Sequence, residues 1–95
     1  MTLKISPRRV RTLEHRAEVL RSMKRWEQAE AAFAELVRED PDQFNGWVSR
    51  GTINHRLGNL ERAIECLRQA VRLRPESIPT RNLLTRFLGQ QRDTT

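Results

Sequence analysis

The sequence contains one cysteine, no tyrosine and only four residues each of glycine and proline. A lone Cys66 can form neither an intramolecular disulfide nor a cysteine-based metal site. Glycine and proline are too scarce for an all-β fold, which needs frequent turns. No apolar run approaches the length of a membrane span, so we expect no membrane association. These absences favour a helical protein in a reducing compartment, and we take the cytoplasm as the expected location.

Basic residues exceed acidic ones by 18 to 12, which gives a formal net charge of +6. Such an excess is compatible with nucleic acid, anionic lipid or an acidic protein partner. Nucleic-acid binders interleave aromatic and basic side chains or concentrate charge along one element. Here the basic residues are spread over the whole chain, and almost all the aromatic residues belong to apolar stripes. We therefore favour a solvated basic surface over a nucleic-acid site.

Similar residues recur at one fixed spacing along the chain, without a gap. The pairs that it aligns include Leu13 with Trp47, Ala17 with Gly51, Ala29 with Ala63, Phe33 with Leu67, and Pro41 with Pro75. An internal period of about 34 residues is typical of helical repeat proteins. It divides the chain into an N-terminal segment 1–9, a first repeat 10–43, a second repeat 44–77, a closing helix 78–89 and a polar tail 90–95.

Each repeat predicts two helices joined by a turn, because small or apolar residues recur every three to four positions on either side of a break. In the second repeat, Gly58 can take the left-handed conformation that ends a helix. Asn59 can then cap the next helix, and Pro75 cannot continue it. The pattern predicts five helices in antiparallel pairs, near residues 7–22, 26–38, 44–57, 60–73 and 78–89.

This pattern resembles the tetratricopeptide repeat family. The second repeat supplies its characteristic residues as Trp47, Gly51, Gly58, Ala63, Leu67, Ala70 and Pro75, and the first as Leu13, Ala17, Ala29, Phe33, Leu36 and Pro41. The resemblance implies an all-α, right-handed helical-hairpin solenoid of about five antiparallel helices, with Trp47 largely buried. The sequence departs from the pattern at Arg16 and Arg50, where the family usually has Leu, and at Leu20 and Asn54, where it has an aromatic residue. We expect softer packing at those positions.

The two ends of a solenoid need to be covered. The last predicted helix is amphipathic on one side only, as expected of a solvating cap. At the other end, Val19 occupies the position that Ile53 and Phe87 hold in later repeats, where it would face a preceding repeat. Either Leu3 and Ile5 fold back over Val19, or a second copy of the chain covers it.

The sequence shows no motif for catalysis, a cofactor or a metal. His15 and His55 belong to different repeats, and we expect both to be solvated helix residues. Cys66 has no base at helical spacing to activate it as a nucleophile. We therefore expect no enzymatic activity, no cofactor and no metal site.

By the resemblance, the first helices of successive repeats line a concave groove that binds a protein or peptide. The residues implied for it are Glu14, Glu18, Arg21, Val48, Thr52, His55, Arg56, Asn82 and Arg86. The arginines and His55 would form a basic margin opposite the two glutamates, which predicts a ligand with acidic residues at one end and apolar residues near Val48. Some members clamp chaperone C-terminal carboxylates between Lys and Asn, but Glu14 and Glu18 stand in those places, so we expect no such binding.

The first functional hypothesis is accordingly a protein–protein interaction module, a scaffold or adaptor that holds a peptide or helix in its groove. One alternative is a self-assembling structural unit joined through the solenoid ends, including a homodimer, which light scattering would reveal. A third hypothesis is a nucleic-acid-associated accessory protein, which would bind RNA with strong salt dependence.

Overall fold

Five α-helices make up the part of the chain that the computed structural model describes, residues 6–93, and no strand occurs there. The helices are α1 (Pro7–Ser22), α2 (Trp26–Glu39), α3 (Phe44–Arg56), α4 (Leu60–Leu73) and α5 (Ile78–Asp93). Every bound lies within one residue of its predicted position except the end of α5, which continues beyond Gly89 to Asp93.

The helices pack as a linear series. The pairs α1 with α2 and α3 with α4 form hairpins, and α2 with α3 and α4 with α5 join one hairpin to the next. The molecule measures 42 × 30 × 21 Å, so it is longer in one direction than in the others. This architecture is the predicted helical-hairpin solenoid, in which each element contacts mainly its neighbours in sequence.

The turns inside the two hairpins repeat each other at the sequence period. Gly58 takes a φ of 85°, the left-handed conformation that its lack of a side chain permits. Lys24 stands at the equivalent position of the first repeat and has a φ of 59°. Because Lys24 carries a Cβ, the same conformation costs it about 1–2 kcal/mol. The first hairpin therefore has the more strained turn.

Small residues allow the helices to approach closely, as the sequence indicates. Ala17, Ala29 and Ala63 are completely buried. Gly51 is buried as well, and a Cβ added there would lie 3.0 Å from Leu67 Cδ2. Large side chains then fill the space between helices, and the largest fully buried apolar ones are Phe33, Leu36, Ile53 and Leu67.

Trp47 is half-buried and lies outside the set of fully buried core residues. Its indole Nε1 donates a hydrogen bond of 2.7 Å to the backbone oxygen of Pro41, in the loop before α3. The ring also lies 5.9 Å from the guanidinium carbon of Arg50. Since both contacts place the ring at the edge of the hairpin, Trp47 fastens a loop rather than filling the core.

The departures from the family pattern at Arg50 and Asn54 do not soften the packing, because the two side chains share one partner. The carboxylate of Glu30 on α2 accepts a hydrogen bond of 2.6 Å from Arg50 Nε and one of 3.0 Å from Asn54 Nδ2. Asn54 is completely buried, and its Nδ2 also donates to the backbone oxygen of Arg50. A polar cluster therefore joins α2 to α3 where apolar residues were expected. We call Glu30, Arg50 and Asn54 the inter-repeat cluster.

The side chain of Asn59 does not cap α4, contrary to the sequence prediction. Ser6 and Asn59 occupy the capping positions before α1 and α4 but make no side-chain capping hydrogen bond. Asn59 Nδ2 instead donates to Asn54 Oδ1 at 3.5 Å. The hydroxyl of Ser77 before α5 pairs with that of Thr80 at 2.9 Å.

Candidate peptide-binding groove

An open groove of about 540 Å³ lies between α1 and α3. Its lining residues come from one face of each helix, and they are Arg11, Glu14, His15, Glu18, Arg21, Asn45, Val48 and Ser49. Residues three or four apart share a helix face, which explains why α1 contributes five of them. We call this surface the α1–α3 groove.

The structure brings together Glu14, Glu18, Arg21 and Val48 from the set implied by the sequence. The other members of that set are on α3 and α5 but do not line the α1–α3 groove; they are Thr52, His55, Arg56, Asn82 and Arg86. The groove also contains Arg11, His15, Asn45 and Ser49, which the implied set did not include. Asn45 could have been found, because it lies three residues before Val48 and shares its face.

The charges along the α1–α3 groove are only partly neutralised within the molecule. Glu18 accepts a hydrogen bond from Arg21 one turn later, and both side chains are more than 40% exposed. Such an exposed pair contributes little to stability. Arg11 and Glu14 have no ion-pair partner among residues 6–93. The groove therefore offers a free cation and a free anion beside the half-buried side chain of Val48.

His55 is not a solvated helix residue, contrary to the sequence prediction. Its ring stacks on Phe87 of α5, with centroids 4.2 Å apart and planes inclined by 9°. Its Nε2 lies 2.8 Å from Gln90 Oε1, in hydrogen-bonding contact. These contacts attach the last turns of α5 to α3, which explains why α5 does not end at Gly89.

Arg56 and Arg86 differ in their surroundings. The Arg56 guanidinium lies 4.7 Å from the centre of the Trp26 ring, a cation–π contact with the start of α2. Arg86 is exposed on α5 and has no ion-pair partner within the described chain. Of the four residues expected to form a basic margin, Arg21, His55 and Arg56 already contact neighbouring side chains. Arg86 is the basic group of this set that is available to a ligand.

Cys66 lies in the interior, 2% exposed, between α3 and α4. Burial raises the pKa of its thiol to about 11, because a thiolate would lose its hydration there. The reactive form of cysteine is the thiolate. The nearby charge of Arg50 lowers the thiol pKa by less than burial raises it, so the thiolate stays disfavoured.

Cys66 should consequently resist thiol reagents in the folded protein. At pH 8 we expect alkylation by iodoacetamide to be at least about 100-fold slower in native buffer than in 6 M guanidinium, because the raised pKa leaves little thiolate. Mass spectrometry of timed aliquots measures both rates. Rapid stoichiometric labelling of the native protein would contradict the buried position.

Within residues 6–93, no group of three or more His, Cys, Asp or Glu side chains is arranged to hold a metal ion. Over the same residues, none of the helices is both long and apolar enough to cross a lipid bilayer.

The repeated helical hairpins, close small-residue contacts and groove between first helices define a helical-repeat protein of the solenoid class. The sequence profile of the tetratricopeptide repeat matches residues 16–78, more than half of the chain. The chain therefore belongs to the tetratricopeptide repeat family, as the sequence pattern predicted.

A comparison with solved structures agrees on the fold. The structure of the MamA R50E mutant (that protein's own numbering) superposes with a TM-score of 0.81 over 90% of this chain, at 19% sequence identity. At that identity the likeness concerns the fold alone. The chain spans 63% of the length of that structure. No curated protein matches the sequence significantly.

Proposed function

We propose that this protein binds a segment of another protein in the α1–α3 groove and acts as a scaffold or adaptor, without catalysis. The family and the fold support a protein–protein interaction module in general. The observation that carries the more specific proposal is the open groove itself, in which an apolar side chain lies between charged groups. This combination suits a peptide, because apolar contact gives affinity and charges give orientation.

The ligand that fits best has an apolar side chain to contact Val48. A basic group of the ligand can pair with Glu14, and an acidic group can pair with Arg11, since neither residue is paired among residues 6–93. A ligand that continues towards α5 would reach Arg86, which favours an acidic residue at that end. We therefore retain the proposal of a peptide with an acidic segment.

The groove is tested with peptides selected by phage display on the intact chain. We expect Val48→Asp to weaken the selected peptides about tenfold or more, because it places an uncompensated charge at the apolar contact. The matched control is Ala31→Asp on α2, an exposed position away from the groove. Isothermal titration calorimetry gives the affinities, and circular dichroism checks that both variants keep their helicity.

The acidic end of the ligand is tested separately. Arg86→Glu should slow association of an acidic selected peptide and reduce its salt dependence, whereas Arg72→Glu on α4 should have less effect. Arg56 is a poor choice for this test, because its contact with Trp26 would confound binding with stability.

If Val48→Asp and Ala31→Asp bound the peptides equally well, the α1–α3 groove would not be the binding site.

A further inference from the structure

One face of α1 is exposed although the same face is buried in α3 and α5. At the repeat period, Val19 corresponds to Ile53 and Phe87. Ile53 is 1% exposed and Phe87 is 3% exposed, whereas Val19 is 41% exposed. One turn later, at the residue that follows α1, Met23 is 54% exposed. The difference arises because α3 packs against α2 and α5 against α4 through this face. Among residues 6–93, no helix precedes α1.

We call the exposed surface of α1 the N-terminal face, formed by Thr12, Arg16, Val19 and Met23. All four side chains are exposed. The opposite end of the array differs from it. Thr85 on α5 is the equivalent of Gly51, the residue through which α3 approaches α4. Because Thr85 is polar and exposed, a helix that followed α5 would meet a polar residue at this position. The N-terminal face therefore carries two exposed apolar side chains, Val19 and Met23, whereas Thr85 at the opposite end of the array is polar.

The inter-repeat cluster shows what kind of side chain covers the equivalent face of α3. Arg16 stands one period before Arg50, and Arg50 pairs with Glu30 on the helix that packs over it. Arg16 is exposed and has no ion-pair partner in the described part of the chain. A helix that covered the N-terminal face as α2 covers α3 would therefore place a carboxylate on Arg16 and apolar side chains on Val19 and Met23.

We propose that the N-terminal face docks an acidic amphipathic helix of a partner protein. This surface is separate from the α1–α3 groove and extends the solenoid by one helix. The net charge of +6 favours an acidic partner over a second copy of the same chain. Elsewhere among residues 6–93 the one exposed large apolar side chain is Ile78, so a second copy has no other apolar helix face to offer.

Leu3 and Ile5, which the sequence suggested as a local cover for Val19, lie outside the described residues.

The test uses a blocked synthetic peptide with the sequence of residues 25–41, which contains α2, added to the intact ¹⁵N-labelled chain. We expect NMR shift changes at Arg16, Val19 and Met23, with a Kd of about 0.1–1 mM because the apolar area is small and the peptide must become helical. Shifts at Val48 should be absent, which separates this site from the α1–α3 groove.

Exchanging the charges of Glu30 in the peptide and Arg16 in the chain then tests whether these two side chains pair. The peptide with Glu30→Lys should bind the natural chain about threefold or more weakly, and it should regain affinity for the Arg16→Glu chain. Arg16 and Val19 are exposed, so circular dichroism should show unchanged helicity for Arg16→Glu and Val19→Asp. If Arg16→Glu failed to fold, the weaker binding of the Glu30→Lys peptide to the natural chain would by itself test the role of the carboxylate.

Four results would overturn the proposal. The first is an absence of shifts at 1 mM peptide, and the second is shifts confined to the α1–α3 groove. The third is a dimer seen by light scattering that Val19→Asp converts to a monomer, since this would make a second copy the occupant. An unaltered affinity of the Glu30→Lys peptide would equally remove the argument for an acidic helix.

Discussion

Replacing Phe33 with alanine is expected to lower the free energy of unfolding by about 3–5 kcal/mol. Phe33 on α2 is 1% exposed and belongs to the cluster that joins α1, α2 and α3. Removing the ring leaves a cavity that the surrounding helices can fill only in part. A domain of this size has a total stability of about 5–15 kcal/mol, so the loss is large. Urea unfolding followed by circular dichroism measures it.

Phe44 provides the matched control, because it is the same residue type in a different environment. It is half-buried at the start of α3, and its ring lies 4.6 Å from the Arg74 guanidinium carbon. Phe44→Ala should cost less than about 2 kcal/mol, since it removes a peripheral contact and no core volume. Equal losses at the two positions would show that the core is not where the structure puts it.

The second large effect is expected at the inter-repeat cluster. Glu30→Ala should cost about 2–4 kcal/mol, because it leaves the Arg50 guanidinium and the buried Asn54 amide without their shared acceptor. The Glu30 side chain is 15% exposed and that of Arg50 is 20% exposed, so water can replace the lost partner only in part. Chemical denaturation again gives the value, and Glu27→Ala on the exposed side of α2 is the control.

The same cluster should make stability depend on pH. Burial by itself raises the pKa of Glu30, but hydrogen bonds from Arg50 and Asn54 outweigh it and leave the pKa below its usual value of 4.5. A carboxyl group whose pKa is lower in the folded state stabilises the protein above its unfolded pKa. That contribution is lost as the pH falls below about 4.5 through the folded pKa.

The pH effect is measured as the difference in unfolding free energy between the natural chain and Glu30→Gln at several pH values. The glutamine variant keeps an oxygen acceptor but has no group that titrates. We expect the difference to be constant near neutrality and to shrink on acidification below pH 4.5. A difference that stayed constant down to pH 3 would mean that Glu30 is not held in its charged form.

The helices were predictable because their signals are local. The spacing of small and apolar residues, together with Gly58 and Pro75, placed almost every helix end within one residue. The end of α5 was not predictable in this way. It depends on the contact between Gln90 and His55, which are 35 residues apart in sequence.

The contacts of the polar side chains could not be predicted from the sequence. Against the family pattern alone, Arg50 and Asn54 each predict softer packing. Their shared partner Glu30 lies 20 and 24 residues earlier, on another helix. The helix pattern likewise indicated Glu14, Glu18 and Arg21 as residues on the inner face of α1, but not that Arg56 would contact Trp26.

The linear order of the contacts has a consequence for how the molecule opens. Because each helix is held mainly by its neighbours in sequence, a terminal helix can detach without disrupting the interior. Among residues 6–93, α1 packs mainly against α2, to which it is joined through the strained turn at Lys24. Amide protons of α1 should therefore exchange with deuterium before those of α3, and the chain should fray from its first helix inward.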